Sequence, residues 1–381
     1  MKVKLSDAFE LQMGKTPPRN DRECWGEGHK WISISDIGST GKYIDATKEE
    51  ITDAGVSKSG IKVVPKGTVI MSFKLSIGKT AITAEDMYTN EAIMAFINKG
   101  RYEINTDYLY HMCKGIDWLA GTNKAVLGLT LNKATMSEKE IVIPSMAEQL
   151  HVVSVLDKMD ELIALRKEQL AKLDQLVKSR FIELFGDPVD NPKGWKKDKA
   201  ENYIDLLSGF PFDSSKYTES GVNICGGLII MPQRIEWGDC KHWCSIDGYE
   251  EYALNENDIV IALDRPWISE GFKIAMVEAE HLPALLIQRT ARIRAIGLNQ
   301  FYLMYCFLLG GFDKHCNVTG SLVPHISAKD IRSFAIMLPP IDLQEQFAAF
   351  VEQTDKSKLA IQQSLDKLEL LKNSLMQDYF G

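Results

Sequence analysis

The opening residues, MKVKLSDAFELQMGK, hold no apolar stretch long enough for a signal peptide or a membrane span. No long low-complexity tract follows them. A cytoplasmic protein with no membrane contact is therefore expected. Cysteine is scarce as well: the seven thiols are an odd number scattered through 381 residues. That excludes a disulfide framework and leaves reduced thiols as the expectation. The tightest group, Cys240, His242 and Cys244, lacks the second ligand pair that a structural zinc site needs, so no metal is expected.

The signatures of catalysis are missing too. A DNA methyltransferase needs a glycine-rich cofactor loop and an Asn/Asp-Pro-Pro-aromatic motif to hold a flipped base. Asn191-Pro192-Lys193 has one proline and no aromatic residue, and Pro339-Pro340 lacks the preceding Asn or Asp. Gly14-Lys15-Thr16 lacks the upstream glycine of a phosphate-binding loop. His111, His242, His281, His315 and His325 are scattered and read as packing or surface histidines. The chain is expected to be no enzyme and to hold no cofactor.

Positive charge is also in deficit, with 44 Lys and Arg against 52 Asp and Glu. The deficit is uneven. Residues 1–145 count 19 − 18 = +1 and residues 187–340 count 15 − 20 = −5. Because phosphate neutralisation supplies much of the affinity for nucleic acid, such a chain would grip DNA weakly unless a partner adds cations.

What the sequence does have is a repeat. LAKLDQLVKSRFIELFG at 170–186 aligns without a gap on LDKLELLKNSLMQDYFG at 365–381, with seven of 17 positions identical. The offset, 365 − 170 = 195, extends backwards through Gln149/Gln344, Pro144/Pro339, Ile141/Ile336 and Leu131/Ile326, and returns at Gly14/Gly209. Between these anchors the match is loose: GTVIMSF at 67–73 resembles NDIVIAL at 257–263. A duplicated scaffold with divergent inserts accounts for this pattern.

Residues 146–181 contain no Pro or Gly, and Val152, Leu156, Met159, Ile163, Leu170, Leu173 and Val177 fall on alternating four- and three-residue steps. That is a coiled-coil stripe on a helix roughly 50 Å long at 1.5 Å per residue. Pro144 and Ser145 suit its start and Gly186 its end. A second such helix is expected over about 342–378, with Phe347, Val351, Ile361, Leu365, Leu368 and Leu371 on its stripe and a polar middle at Thr354 and Lys358. Two helices of one length would pair antiparallel, each burying the other's stripe.

Regions 1–145 and 187–340 alternate β-branched runs with turn-rich stretches, plus one helical segment each at 107–114 and 299–309. The fold class is thus mixed α/β, with two globular domains (1–145, 187–340) and two spacer helices (146–186, 341–381). Base readout needs Arg, Lys, Asn or similar side chains on rigidly held loops. Where the repeat diverges, the candidates are Arg19, Lys74, Ser76, Lys79, Asn123 and Lys124 in the first half. In the second half they are Arg265, Trp267, Ser269, Asn317, Ser321 and His325.

The opening KLSDAFELQMGKTPPRN, the exit LNKATMSEKEIVIPSMAEQ, the junction FGDPVDNPKGW and the second exit ISAKDIRSFAIMLPPIDLQEQF occur in an order, twice over, that resembles the specificity subunits of type I restriction-modification enzymes. The resemblance covers essentially the whole chain. It implies two target-recognition domains that each read half of a split site in double-stranded DNA, with the helices acting as a ruler. It also implies two modification subunits per chain, which carry S-adenosylmethionine and methylate adenine, and restriction subunits that cleave. The alternative is a structural coiled-coil adaptor whose two domains bind proteins.

Overall fold

The computed structural model describes residues 1–38, 41–74, 76–119, 131–316 and 324–381. Two 40-residue helices, Met146–Phe185 and Ile341–Phe380, dominate it. The chain divides into two compact units, one of Met1–Lys167 with Gln363–Gly381 and the other of Glu168–Gln362. Both divisions fall inside the long helices. Each unit therefore owns half of each helix.

In the first unit a five-stranded sheet orders Phe9–Met13, Ile93–Asn98, Val69–Ser72, Thr80–Thr83 and Tyr43–Ile44. Every ladder is antiparallel except the last, between Thr80–Thr83 and Tyr43–Ile44. Val69–Ser72 is buried at all four positions. Successive side chains of a strand point to opposite faces, so a run such as GTVIMSF needs cover on both sides. Val69 and Met71 join Phe9, Leu11, Phe96 and the helix Thr106–Gly115 in one core, whereas Ile70 joins Ile32, Ile44, Val64 and Ile93 in another.

The second unit follows the same plan. Ile204–Ser208, Thr290–Ala295, Ile259–Ala262 and Ile274–Met276 form a four-stranded antiparallel sheet. Ile259 and Ile261 enter a core with the helix Gln300–Leu309, and Val260 and Ala262 enter a second core on the other face. In both units a two-stranded ladder ties the entry to the exit: Lys2–Lys4 with Glu140–Val142, and Lys197–Lys199 with Ala335–Met337. The exit strings each form a short capped helix that the apolar pattern does not announce, Lys133–Glu138 and Ala328–Ser333. Their signal is the capping box, Asn132 with Thr135 and Ser327 with Asp330.

Within each unit the helix halves run antiparallel. In the first, Asp160 pairs with Lys372 and Lys167 with Glu369. In the second, Asp174 pairs with Lys358 at 2.7 Å and the rings of Phe181 and Phe347 lie 5.4 Å apart. Val152, Leu156, Met159, Val177, Phe347, Val351 and Leu365 are buried, and Ile163, Leu170, Leu173, Ile361 and Leu368 are half-buried. Leu371 departs from the expected stripe: it is 51% exposed. At about 100° per residue, six positions beyond Leu365 lie roughly 120° off its face, while seven positions return to within about 20° of it. The inward place accordingly goes to Lys372, which meets Asp160.

Two buried glutamines join the helices to the domains. The Gln149 carbonyl oxygen accepts from Asn105 N–H at 2.8 Å, and its amide donates to the carbonyls of Glu103 and Pro144. Gln344 repeats the arrangement with Asn299 N–H and the Pro339 carbonyl, both at 2.9 Å. Asn105 and Asn299 in turn cap the helices Thr106–Gly115 and Gln300–Leu309. Gln149→Leu would leave a buried N–H and two carbonyls unmatched, at a cost of about 1–3 kcal/mol. Gln344→Leu is expected to do the same in its own unit. Urea unfolding checks this; an unchanged midpoint for both variants would contradict the assigned role.

Candidate nucleic-acid interface

The two sheets present equivalent loops. In the first unit the strand Val69–Ser72 runs into a tight loop closed by Ser72, whose hydroxyl meets the Ser76 carbonyl and accepts from Lys79 N–H at 3.1 Å. Lys74, Ser76 and Lys79 stand exposed on it. Phe73 N–H binds the Ala92 carbonyl at 2.9 Å, which holds the loop against the turn before Ile93–Asn98.

The opening segment reaches the same place. The indole N–H groups of Trp25 and Trp31 donate to the carbonyls of Pro18 and Lys15, each at 3.0 Å. Arg19 lies 3.9 Å above the Trp25 ring and forks onto both oxygens of Glu49. Glu91 ties the pieces together. Its partial burial opposes ionisation, but the Thr16 hydroxyl and the charges of Lys74 and Arg19 outweigh that and hold its carboxyl below the usual range. Sequence reasoning missed Glu91, because its neighbours Thr16, Arg19 and Lys74 come from two other segments of the chain.

In the second unit three segments converge at the end of Ile259–Ala262. Leu263 N–H binds the Arg289 carbonyl at 2.9 Å, Ile326 N–H binds the Leu263 carbonyl at 2.9 Å, and Arg265 N–H binds the Pro324 carbonyl at 2.7 Å. Arg265 and His325 are thereby brought together on one exposed edge, with Asp264 and His325 bridging through their backbones. Arg289, absent from the sequence candidates, joins them and pairs with the Asp264 carboxylate. Ser269 is exposed on the turn of the hairpin that pairs Trp267–Ile268 with Gly271–Phe272. Trp267 spends a face on Phe272, at 5.2 Å between rings, and so packs into the core. Asn123, Lys124, Asn317 and Ser321 lie outside the described residues.

Other groupings point elsewhere. A cleft of about 1020 Å³ in the first unit is lined by Lys42, Lys79, Tyr110, Lys114 and Asp157 among others. Its Lys42 bridges Asp107 and Asp157, each at 2.8 Å, and Asp157 also meets the buried His111 at 2.7 Å. Cys240 lies 3.8 Å from His242, but Cys244 is exposed. Among the described residues, Glu278, Glu280 and His281 could offer three ligand atoms within 4.8 Å, on a half-exposed turn.

Residues 1–175 and 245–371 match the family model described as the type I restriction modification DNA specificity domain. The chain belongs to the type I restriction-modification specificity-subunit family. It is 25% identical over 408 residues to the MjaIX specificity subunit of Methanocaldococcus jannaschii, covering 98% of this chain and 90% of that relative. The EcoAI specificity subunit of Escherichia coli is 30% identical over 202 residues, 50% of this chain and 34% of that protein. Among solved structures, the S subunit from M. genitalium superposes with a TM-score of 0.54 at 14% identity, over 100% of this chain and 96% of that one. A chain from work on complex assembly and conformational transition of the type I R-M system gives 0.61 at 19% identity, over 100% and 97%. At these identities the structural likeness is one of fold. Type I specificity subunits are the non-catalytic members of complexes with methyltransferase and restriction subunits, so the family carries DNA recognition rather than bond-making. The adaptor alternative gives way to it.

Gly14 and Gly209 set the height of both loop edges. A β-carbon on Gly14 would come 2.0 Å from the Thr89 carbonyl oxygen, and one on Gly209 would come 2.0 Å from that of Ile287. The first sheet strand of each unit therefore passes directly over the turn that presents Glu91 or Arg289, and only glycine fits. Gly209→Ala must push the 287–290 turn away, and overpacking of this kind costs roughly 1–3 kcal/mol. Thermal melting checks it; wild-type stability would contradict the close approach.

Proposed function

We propose that this specificity subunit reads a split target in double-stranded DNA, one short block per unit, with unread base pairs between. The observation that carries the reading is the recurrence of one plan in both units. The strand Glu140–Val142 and its counterpart Ala335–Met337 stand 335 − 140 = 195 positions apart, as do Lys2–Lys4 and Lys197–Lys199. A duplicated chain with a 195-residue period presents two similar edges with different side chains, which suits two different half-sites. The long helices serve as a coiled-coil spacer whose length sets the gap.

In this reading two modification subunits associate with each chain, restriction subunits join them, and S-adenosylmethionine belongs to the modification subunits. The net −5 of residues 187–340 supports reliance on those partners for cations. Block centres should then lie about one helical turn, roughly 10 base pairs, apart.

Mapping methyladenine in DNA treated with the assembled complex tests the reading. Two short fixed blocks flanking a gap of constant length are expected. Inserting four residues into both helices adds about 6 Å to each, which corresponds to at most about two base pairs at 3.4 Å each. The gap should lengthen accordingly while both blocks keep their bases. A changed base in either block, or methylation without sequence preference, would contradict the proposal.

A further inference from the structure

Leu228 is 89% exposed. It sits on the turn Gly226–Ile229, closed by hydrogen bonds from Ile229 and Ile230 N–H to the Gly226 carbonyl at 3.1 and 3.3 Å. Ile229 and Ile230 are buried and anchor the turn from one side. From beneath, the buried Lys273 ammonium donates to the Gly227 carbonyl. Burial, and then the charge of Arg265, pull that amine below its usual range. The leucine is thus held out by a rigid support rather than left on a loose loop.

The turn lies against the backbone of Arg289 and its neighbours. A β-carbon on Gly226 would stand 3.1 Å from the Ile287 side chain, and one on Gly227 would stand 3.8 Å from the Thr290 methyl and 3.9 Å from the Arg289 carbonyl oxygen. Arg289 has a left-handed backbone, φ 62°, and so does Arg265, φ 45°. Non-glycine residues stay in that region only where the surroundings over-determine them, a state that collects at functional sites. The Arg289 side chain is 69% exposed and is braced on one side by Asp264. Although residues 187–340 are acidic as a whole, Arg265, Lys273 and Arg289 converge here.

Building on the reading of the second unit as a half-site reader, we propose that Arg289 and Leu228 are its base-contacting pair. The guanidinium fork takes the O6 and N7 edge of a guanine in the major groove, and Leu228 makes apolar contact with the neighbouring base pair, for which a thymine methyl is the fitting surface. Asp264 is a positioning residue that aims the fork. The arginine supplies a directional donor pair, the leucine shape and exclusion of water, and the pinned backbone the rigidity that selectivity requires.

The test uses the full chain assembled with its modification subunits. Arg289→Gln should lower discrimination for guanine at one position of the second block by about fivefold to a hundredfold, the range of a single bidentate contact. Leu228→Ser should relax the adjacent position, and the first block should stay unchanged in both. Arg289→Lys keeps the charge but loses the fork, so it should lose discrimination while retaining the salt dependence of binding. Light scattering should find all three complexes fully assembled. Unchanged targets, equal weakening on all sequences, or failure of the Leu228→Ser chain to bind modification subunits would each overturn this assignment alone. A wild-type complex without sequence preference would overturn the half-site reading with it.

Discussion

Each unit receives part of its apolar core from the far end of a long helix that began in the other. In the first unit Leu375, Met376, Tyr379 and Phe380 pack on the core beneath the sheet, with Phe380 edge-on to Tyr108 at 5.5 Å. In the second, Phe181 and Phe185 do so, with Phe185 edge-on to Tyr302 at 4.7 Å. Fully buried side chains such as Phe181 and Phe185 contribute about 1.5–3 kcal/mol each, the half-buried Leu375, Met376, Tyr379 and Phe380 contribute less, and ring pairs add somewhat more. Gly115 shows how close the approach is, since a β-carbon there would come 2.6 Å from the Phe380 ring. Neither unit can complete itself from its own contiguous stretch.

That exchange explains why the sheets can vary their loops without losing the fold. The strands are gripped on one face by the helices Thr106–Gly115 and Gln300–Leu309, which Gln149 and Gln344 lock to the long helices. On this frame the loop edges diverge in charge. The first unit sets Lys74 near Glu91, whereas the second sets Asp264 against Arg289. The polarity is reversed at corresponding places, and reversed donors and acceptors favour different bases.

Much of the frame was legible in the sequence, because helix periodicity and the Pro144/Pro339 starts are local signals. The strands after which the candidate loops begin were legible for the same reason: GTVIMSF and NDIVIAL are buried runs in any context. Leu371 was misplaced because two three-residue steps from Leu365 rotate out of the seam. Arg19 was found, but its commitment to Glu49 was not, since that depends on a partner 30 residues away. Arg289 and Leu228 carried no signal at all. One is an arginine among other polar and basic residues, Gln288, Thr290, Arg292 and Arg294, and the other a leucine among apolar residues, and only the left-handed backbone and the pinned turn set them apart.

If residues 168–186 and 363–381 are interchangeable closing pieces, the fragment 1–186 should close on a second copy of itself. The fragment keeps the first domain and carries Phe181, Leu184 and Phe185 in place of Met376, Tyr379 and Phe380. Two copies should therefore close each other about a two-fold axis. Light scattering should show a dimer, and with modification subunits that dimer should methylate an inverted repeat of the first block alone. A stably folded monomer, or a dimer that still marks the original asymmetric site, would contradict the claim.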